Sequence, residues 1–175
     1  MGHTARIIAA PAAISLAYAE AMLKDVTPAM FARQPVINNK HIICNHPAWV
    51  YGHLSIYSSR CMELLGLPLG VTAKPDGFDD LFKNGTECKD DPAGTIYPSM
   101  EKIVSFYTSG YKALLAALPE VSDEVLSRPT PMTGRMAELL PTVGAGVAFL
   151  ISGHPMSHLG QISTWRRCMG LGSAM

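Results

Sequence analysis

The chain has 175 residues, of which 48% are apolar and 16% charged, and its 14 Lys plus Arg balance its 14 Asp plus Glu. A composition this apolar with no net charge excludes a disordered chain, and the lack of a basic excess excludes an electrostatic nucleic-acid binder. The length suits one domain spanning 1–175, and no apolar stretch reads as the roughly 20 residues of a membrane span. Cys44, Cys61, Cys88 and Cys168 are widely spaced, with no C-x-x-C pair. Together with ten methionines they point to free thiols in a reducing, cytoplasmic compartment.

The first predicted helix covers residues 11–32. Arg6 precedes the apolar stretch 7–19, which ends Ala17-Tyr18-Ala19, as a secretory signal would. Leu16, Ala19, Leu23, Val26 and Met30, however, form a helical stripe through the supposed cleavage site, which favours an amphipathic helix with Pro11 in its first turn. Gln34-Pro35 and Asn38-Asn39 break it. A second helix is expected over 47–65, with Asn45 or His46 as cap, Pro47 at its first position and Gly66 and Pro68 beyond its end.

The connection 66–98 is rich in turn signals, among them Pro75-Asp76-Gly77 and Asn84-Gly85, with one helical turn around residues 79–82. Its length suits either a lid or a crossover from one end of a bundle to the other. A third helix over 99–118 presents Ile103, Phe106, Gly110, Ala113 and Ala117 on one face, with Ser99 as cap. After a connection over 119–131 and a short turn at 135–140, a fourth helix covers 142–169. Val143, Val147, Leu150, Ile151, His154, His158, Ile162 and Trp165 share its broad inner face. Pro155 should kink this helix or make it restart with His154 as cap, because it lacks an N–H and crowds the Ile151 carbonyl. No alternating strand pattern stands out. The expected fold is all-α: a four-helix bundle with a long connection between helices 2 and 3.

His154 and His158 are spaced i, i+4, so they lie about 40° apart on one helix face, where two imidazoles can share a metal ion. The Glu that follows the first His in zinc peptidases is absent; the segment reads His154-Pro155-Met156-Ser157-His158. His53 is the best third ligand, mid-helix on the inward face with Val50, Tyr57 and Leu64, whereas His46 sits at the helix mouth, His41 in a loop and His3 near the terminus. Cys61 reads as a small buried hydrophobe. Arg166 and Arg167 read as solvated residues at the negative end of the last helix.

Asn45-His46-Pro47-Ala48-Trp49-Val50-Tyr51-Gly52-His53-Leu54 resembles the second-helix signature of the DinB-like proteins. His154-x-x-x-His158-x-Gly160-Gln161-Ile162, followed by Arg166-Arg167-x-x-Gly170-Leu171, resembles their last-helix signature, and Phe31-Ala32-Arg33-Gln34-Pro35 is similar to members of the same group. The resemblance implies a four-helix bundle, often a homodimer, in which His53, His154 and His158 bind a divalent metal such as zinc, nickel or iron. It also implies a metal-dependent thiol S-transferase or isomerase that uses a low-molecular-weight thiol on a small electrophilic substrate, with neither nucleic acid nor membrane as partner. The alternatives are a non-catalytic metal or small-ligand binding protein linked to stress, and a metal-dependent hydrolase. Around the metal, Gln161 would hydrogen-bond a histidine or bound water, Trp49 and Trp165 would wall a pocket, and Tyr57 would reach in with its hydroxyl.

Overall fold

In a computed structural model, residues 2–174 are described and are mainly helical. Helix α1 spans His3–Met22 and begins well before the expected start. Pro11 therefore sits inside it rather than in its first turn. Pro11 and Ile7 are both exposed, so water can take the Ile7 carbonyl that the proline leaves without a donor. The helix stops at Met22 instead of running to residue 32. Asp25 adopts φ 61°, and Thr27 is extended before Pro28, as a residue preceding proline prefers. A one-turn helix α2 (Pro28–Phe31) follows.

Asn38 and Asn39, expected only to break a helix, form the turn of a minimal antiparallel hairpin between β1 (Val36–Ile37) and β2 (Lys40–His41). Val36 pairs with His41 and Ile37 with Lys40. Both asparagines have positive φ, 50° and 60°, which this residue type tolerates in tight hairpin turns.

Helix α3 (Pro47–Leu65) matches the expected bounds. His46 caps it, its Nδ1 accepting the Trp49 N–H at 3.3 Å. Gly66 ends it in the left-handed region at φ 70°, with the Leu67 N–H returning to the Met62 carbonyl. The long connection contains a 3-10 turn (Gly70–Thr72) and the short α4 (Phe78–Phe82). Helix α5 (Met100–Ala117) is capped by Ser99 Oγ, which accepts from the Lys102 N–H. Its buried face is turned from the expected one: Ile103 and Gly110 are buried, but with Tyr107, Tyr111 and Leu114 rather than with Phe106, Ala113 and Ala117. The aromatic rings win the interior because they bury more apolar area than alanines can.

The short α6 (Asp123–Ser127) and α7 (Arg135–Leu139) precede α8 (Val143–Ala148). A π-helical turn over Phe149–Gly153 joins α8 to α9 (His154–Cys168). His154 is not a cap. It and Gly153 keep right-handed helical angles, so the chain runs through Pro155 without restarting. The wider π turn takes up the missing proline N–H. The i, i+4 spacing of His154 and His158 thus survives inside α9.

Helix α3 packs on α5 and α4, and α1 packs on α8 and α9. Between them the core holds Tyr51, Leu54, Ile103, Tyr107, Leu114, Val147, Ile151, Leu159, Ile162 and Trp165. Arg166 corrects its reading as a solvated residue, being fully buried. Its Nη1 donates to the Met22 carbonyl at 2.9 Å and to the Lys24 carbonyl, closing the C-terminal end of α1 with a cation where the helix dipole is negative. Arg167 remains exposed and bonds Ser163. All four cysteines are free thiols. Helix α1 is long and apolar enough, by length and composition, to cross a membrane, a feature the sequence reading did not register. Here one side of it packs into the core through Ala5, Ile8, Ala12, Leu16 and Ala19.

Candidate metal centre

Helices α3 and α9 bring three histidines together. His53 Nε2 lies 3.3 Å from His154 Nε2, and His158 Nε2 lies 3.1 Å from the same atom. One ligand nitrogen of each falls within 4.8 Å of the other two. A tetrahedral ion holding imidazoles at about 2.0–2.1 Å sets its nitrogens about 3.3 Å apart. The spacing therefore fits a shared cation.

The proton count supports the same reading. His53 Nδ1 lies 2.7 Å from the Phe82 carbonyl. A carbonyl only accepts, so that nitrogen carries the proton and Nε2 presents a lone pair. His158 Nδ1 donates to Gln161 Oε1 at 3.0 Å, which leaves its Nε2 unprotonated too. The same oxygen accepts from Asn45 Nδ2 at 3.1 Å. Two lone pairs thus converge on His154 Nε2. The Nδ1 of His154 is buried without a hydrogen-bond partner. A single proton satisfies such a cluster poorly, and a cation satisfies all three nitrogens at once.

The imidazoles are poised to bind in the neutral form that metals require. Burial lowers the pKa of His53 from 6.5 to about 4, partly offset by the Phe82 carbonyl. Burial and the neighbouring His158 and His53 lower His154 to about 3. Burial lowers His158 as well, opposed by its bond to Gln161.

Aromatic rings surround the triad. Trp49 stacks on His53, with centroids 4.7 Å apart and 9° between planes. Tyr57 meets His53 edge-on at 5.1 Å and His154 at 4.6 Å. Phe149, from the π turn, stacks on His154 at 5.7 Å. Trp165 stands apart, since its indole N–H donates to the Arg33 carbonyl and its ring walls a neighbouring hollow instead. That hollow, about 400 Å³, is lined by Ile42, Cys44, Asn45, Gln161, Thr164, Trp165 and Cys168. A second, of about 330 Å³, lies beyond Tyr57 among Arg60, Pro131, Met132, Met136 and Leu150. A larger open groove, about 690 Å³, lies between Val26, Pro28, Met100 and Lys112 and contains none of these residues.

The long connection holds the centre from behind. Besides the Phe82 carbonyl, Thr86 Oγ1 accepts the Trp49 indole N–H at 3.1 Å, and the Lys89 carbonyl lies 2.8 Å from His46 Nε2. Phe82, Thr86 and Lys89 were missed in the sequence, because two of them act through carbonyls that any residue type supplies. The one available signal was Gly52, which lets α4 approach: a Cβ there would lie 2.3 Å from the Phe82 ring. The remaining histidines stay outside the centre. His46 caps α3, His41 lies 3.8 Å from Asp90, and His3 is exposed at the start of α1. Cys61 is fully buried, and burial pushes its thiol up. Among the described residues no carboxylate joins the three histidines.

No curated protein and no solved structure matches the chain. The profile of the DinB superfamily matches residues 14–162, a span that includes His53, His154, His158 and Gln161. With most of the chain matched and the histidines gathered as described, the protein belongs to the DinB superfamily.

Proposed function

We propose that the chain is a divalent-metal enzyme that transfers a low-molecular-weight thiol to a small electrophilic substrate, or isomerises a substrate through such an adduct. In this reading the four long helical stretches of a single domain, residues 1–175, form a four-helix bundle with the connection 66–98 strapped across it. His53, His154 and His158 hold the metal. One observation carries the proposal: three Nε2 atoms converge while the outer nitrogens of His53 and His158 are already committed as donors. Three imidazoles leave a tetrahedral ion at least one open position. When bound, the ion supplies a Lewis acid that keeps a thiol ionised near neutral pH. Zinc, nickel and iron all accept imidazole ligands.

The chain's own residues do the rest. The Phe82 carbonyl and Gln161 hold two rings in the ligating tautomer. Trp49 and Tyr57 screen the rings from water. Burial raises the pKa of the Tyr57 hydroxyl, so it remains a proton-bearing donor at neutral pH. Two hollows adjoin the residues that touch the triad, one lined by Asn45 and Gln161 and one by Tyr57 and Arg60, and in this reading they seat the two reactants. The segment His154-Pro155-Met156-Ser157-His158 lacks the glutamate that zinc peptidases use as general base, which favours transfer over peptidase-type hydrolysis.

Cobalt-loaded protein tests the reading. Adding a small thiol is expected to produce an intense thiolate-to-cobalt absorption band in the near ultraviolet, lost in His158→Ala. Cobalt binding with a spectrum indifferent to thiols contradicts the transferase part of the reading and leaves a metal-binding protein.

A further inference from the structure

The chemistry proposed above uses none of the chain's own thiols, yet its four cysteines are not alike. Cys61 is fully buried in the core, where burial pushes its thiol up. Cys88 is half-buried but engaged: its sulfur accepts the His46 N–H at 3.5 Å, and burial pushes its pKa up to about 12. Cys44 and Cys168 are half-buried and line one hollow, the one walled by Trp165. Cys44 comes from the coil between β2 and α3, and Cys168 from the last turn of α9. The Cys168 thiol stands close enough to act on Cys44, adding to burial in holding its proton.

We propose that Cys44 and Cys168 are a reversible redox pair that closes to a disulfide across this hollow when oxidised by a hydroperoxide. One of the two, as thiolate, attacks the peroxide: its sulfur bonds one oxygen, the O–O bond breaks, and the departing hydroxide takes up a proton as water. The sulfur of the second thiol then displaces the hydroxyl group of the resulting sulfenic acid, which leaves with that thiol's proton as a second water. Two electrons pass from the sulfurs to the peroxide. Two thiols and one hydrogen peroxide thus give one disulfide and two waters, and an external dithiol reverses the bond by exchange.

The placement suits such a bond. Cys44 lies in irregular backbone, and Cys168 ends its helix two residues before Gly170, which has φ 78°. Neither is gripped inside a long element, so local movement of a loop and a helix end can bring the sulfurs together. Cys88 is the competing partner, because Gln34 Nε2 donates to the Cys44 and Cys88 carbonyls at 2.9 and 3.0 Å and sets the two segments side by side. Its thiol, however, is outside the hollow and holds its proton more firmly. Chain proximity does not make the pair: of all pairings of the four cysteines, Cys44 with Cys168 closes the longest loop, the least favoured one in an unfolded chain. The bond would pin the segment 42–46 to the end of α9, the two elements joined by the Asn45–Gln161 hydrogen bond. Nothing in this inference depends on the metal centre.

Treating the folded full chain with hydrogen peroxide, alkylating the remaining thiols and mapping the peptides by mass tests it. Two of the four free thiols are expected to disappear, with the Cys44 peptide joined to the Cys168 peptide and the link lost in dithiothreitol. Cys168→Ser should keep the helical circular dichroism and give no linked Cys44 peptide. In urea the yield of this link should fall at least about tenfold, because the fold no longer closes the loop. Cys44 joined to Cys88 overturns the proposal, as does a link between two molecules on a non-reducing gel. Four surviving thiols, or sulfinic acids without any link, overturn it as well. So does a link formed equally in urea, which would mean that the fold does not build the pair.

Discussion

His154 is the residue on which the centre turns. Its Nε2 faces both other imidazoles, and its Nδ1 has no protein partner. Its burial among rings, with two imidazoles at hand, lowers its pKa to about 3, against about 4 for His53. The consequence for stability has a definite sign. A free histidine takes a proton near pH 6.5, whereas folded His53 and His154 resist it until about 4 and about 3. Between those limits the unfolded chain binds more protons than the folded one. Metal-free protein should therefore lose stability as pH falls from about 6.5, with the loss levelling off below about 3. Each such histidine adds a slope of up to about 1.4 kcal/mol per pH unit. Urea unfolding of metal-free protein at pH 7 and pH 5 should show this loss, and His154→Leu should make it shallower. Equal losses in both proteins would mean that His154 is protonated normally in the fold.

At the scale of elements, the centre depends on how closely α4 lies against α3. Gly52 stands one residue before His53, where a methyl group would overlap the Phe82 ring. Phe82 is fully buried between Phe78 and Tyr97, so its ring has no room to swing aside. Gly52→Ala should push α4 outward and take the Phe82 carbonyl away from His53 Nδ1. We expect a loss of about 1–3 kcal/mol in stability, as for an overpacked core, and weaker metal binding in the same variant. Denaturant unfolding and a metal titration would check both, and a variant unchanged in both would break the link between α4 and the triad.

Helix α3 was fully legible in the sequence, because Pro47 and Gly66 punctuate it at both ends with residues whose backbone preferences leave little choice. His53, His154 and His158 were legible for a related reason, since helical spacing maps sequence onto a face. Trp49, Tyr57 and Gln161 fell where the same spacing put them, while Trp165, on the same stripe, lay too far along the helix to touch the triad. The start of α1 was not legible, because a proline on a solvent-facing turn costs less than the rule for helix interiors suggests. Nor was the π turn before Pro155, which is a shift in hydrogen-bond register and has no residue signature.

At the scale of the whole molecule, Arg166 ties the last helix to the first. Its carbonyl partners, Met22 and Lys24, stand at the far end of the chain, so nothing local in the sequence announced its burial. Arg166→Met should leave those carbonyls unpaired and remove the cation from the negative end of α1. A cost of about 2–4 kcal/mol is expected, read as a lower denaturant midpoint with an unchanged m-value. An unchanged midpoint would mean that the two helices hold together without it. The fold as a whole exists, in this account, to bring His53 of one long helix against His154 and His158 of another. Elemental analysis of purified, tag-free protein beside His53→Ala tests that most directly. About one divalent metal per chain, lost in the variant while circular dichroism still reports the helices, is the predicted result. Metal retained by His53→Ala, or none in the wild type even after incubation with zinc or nickel, would contradict it.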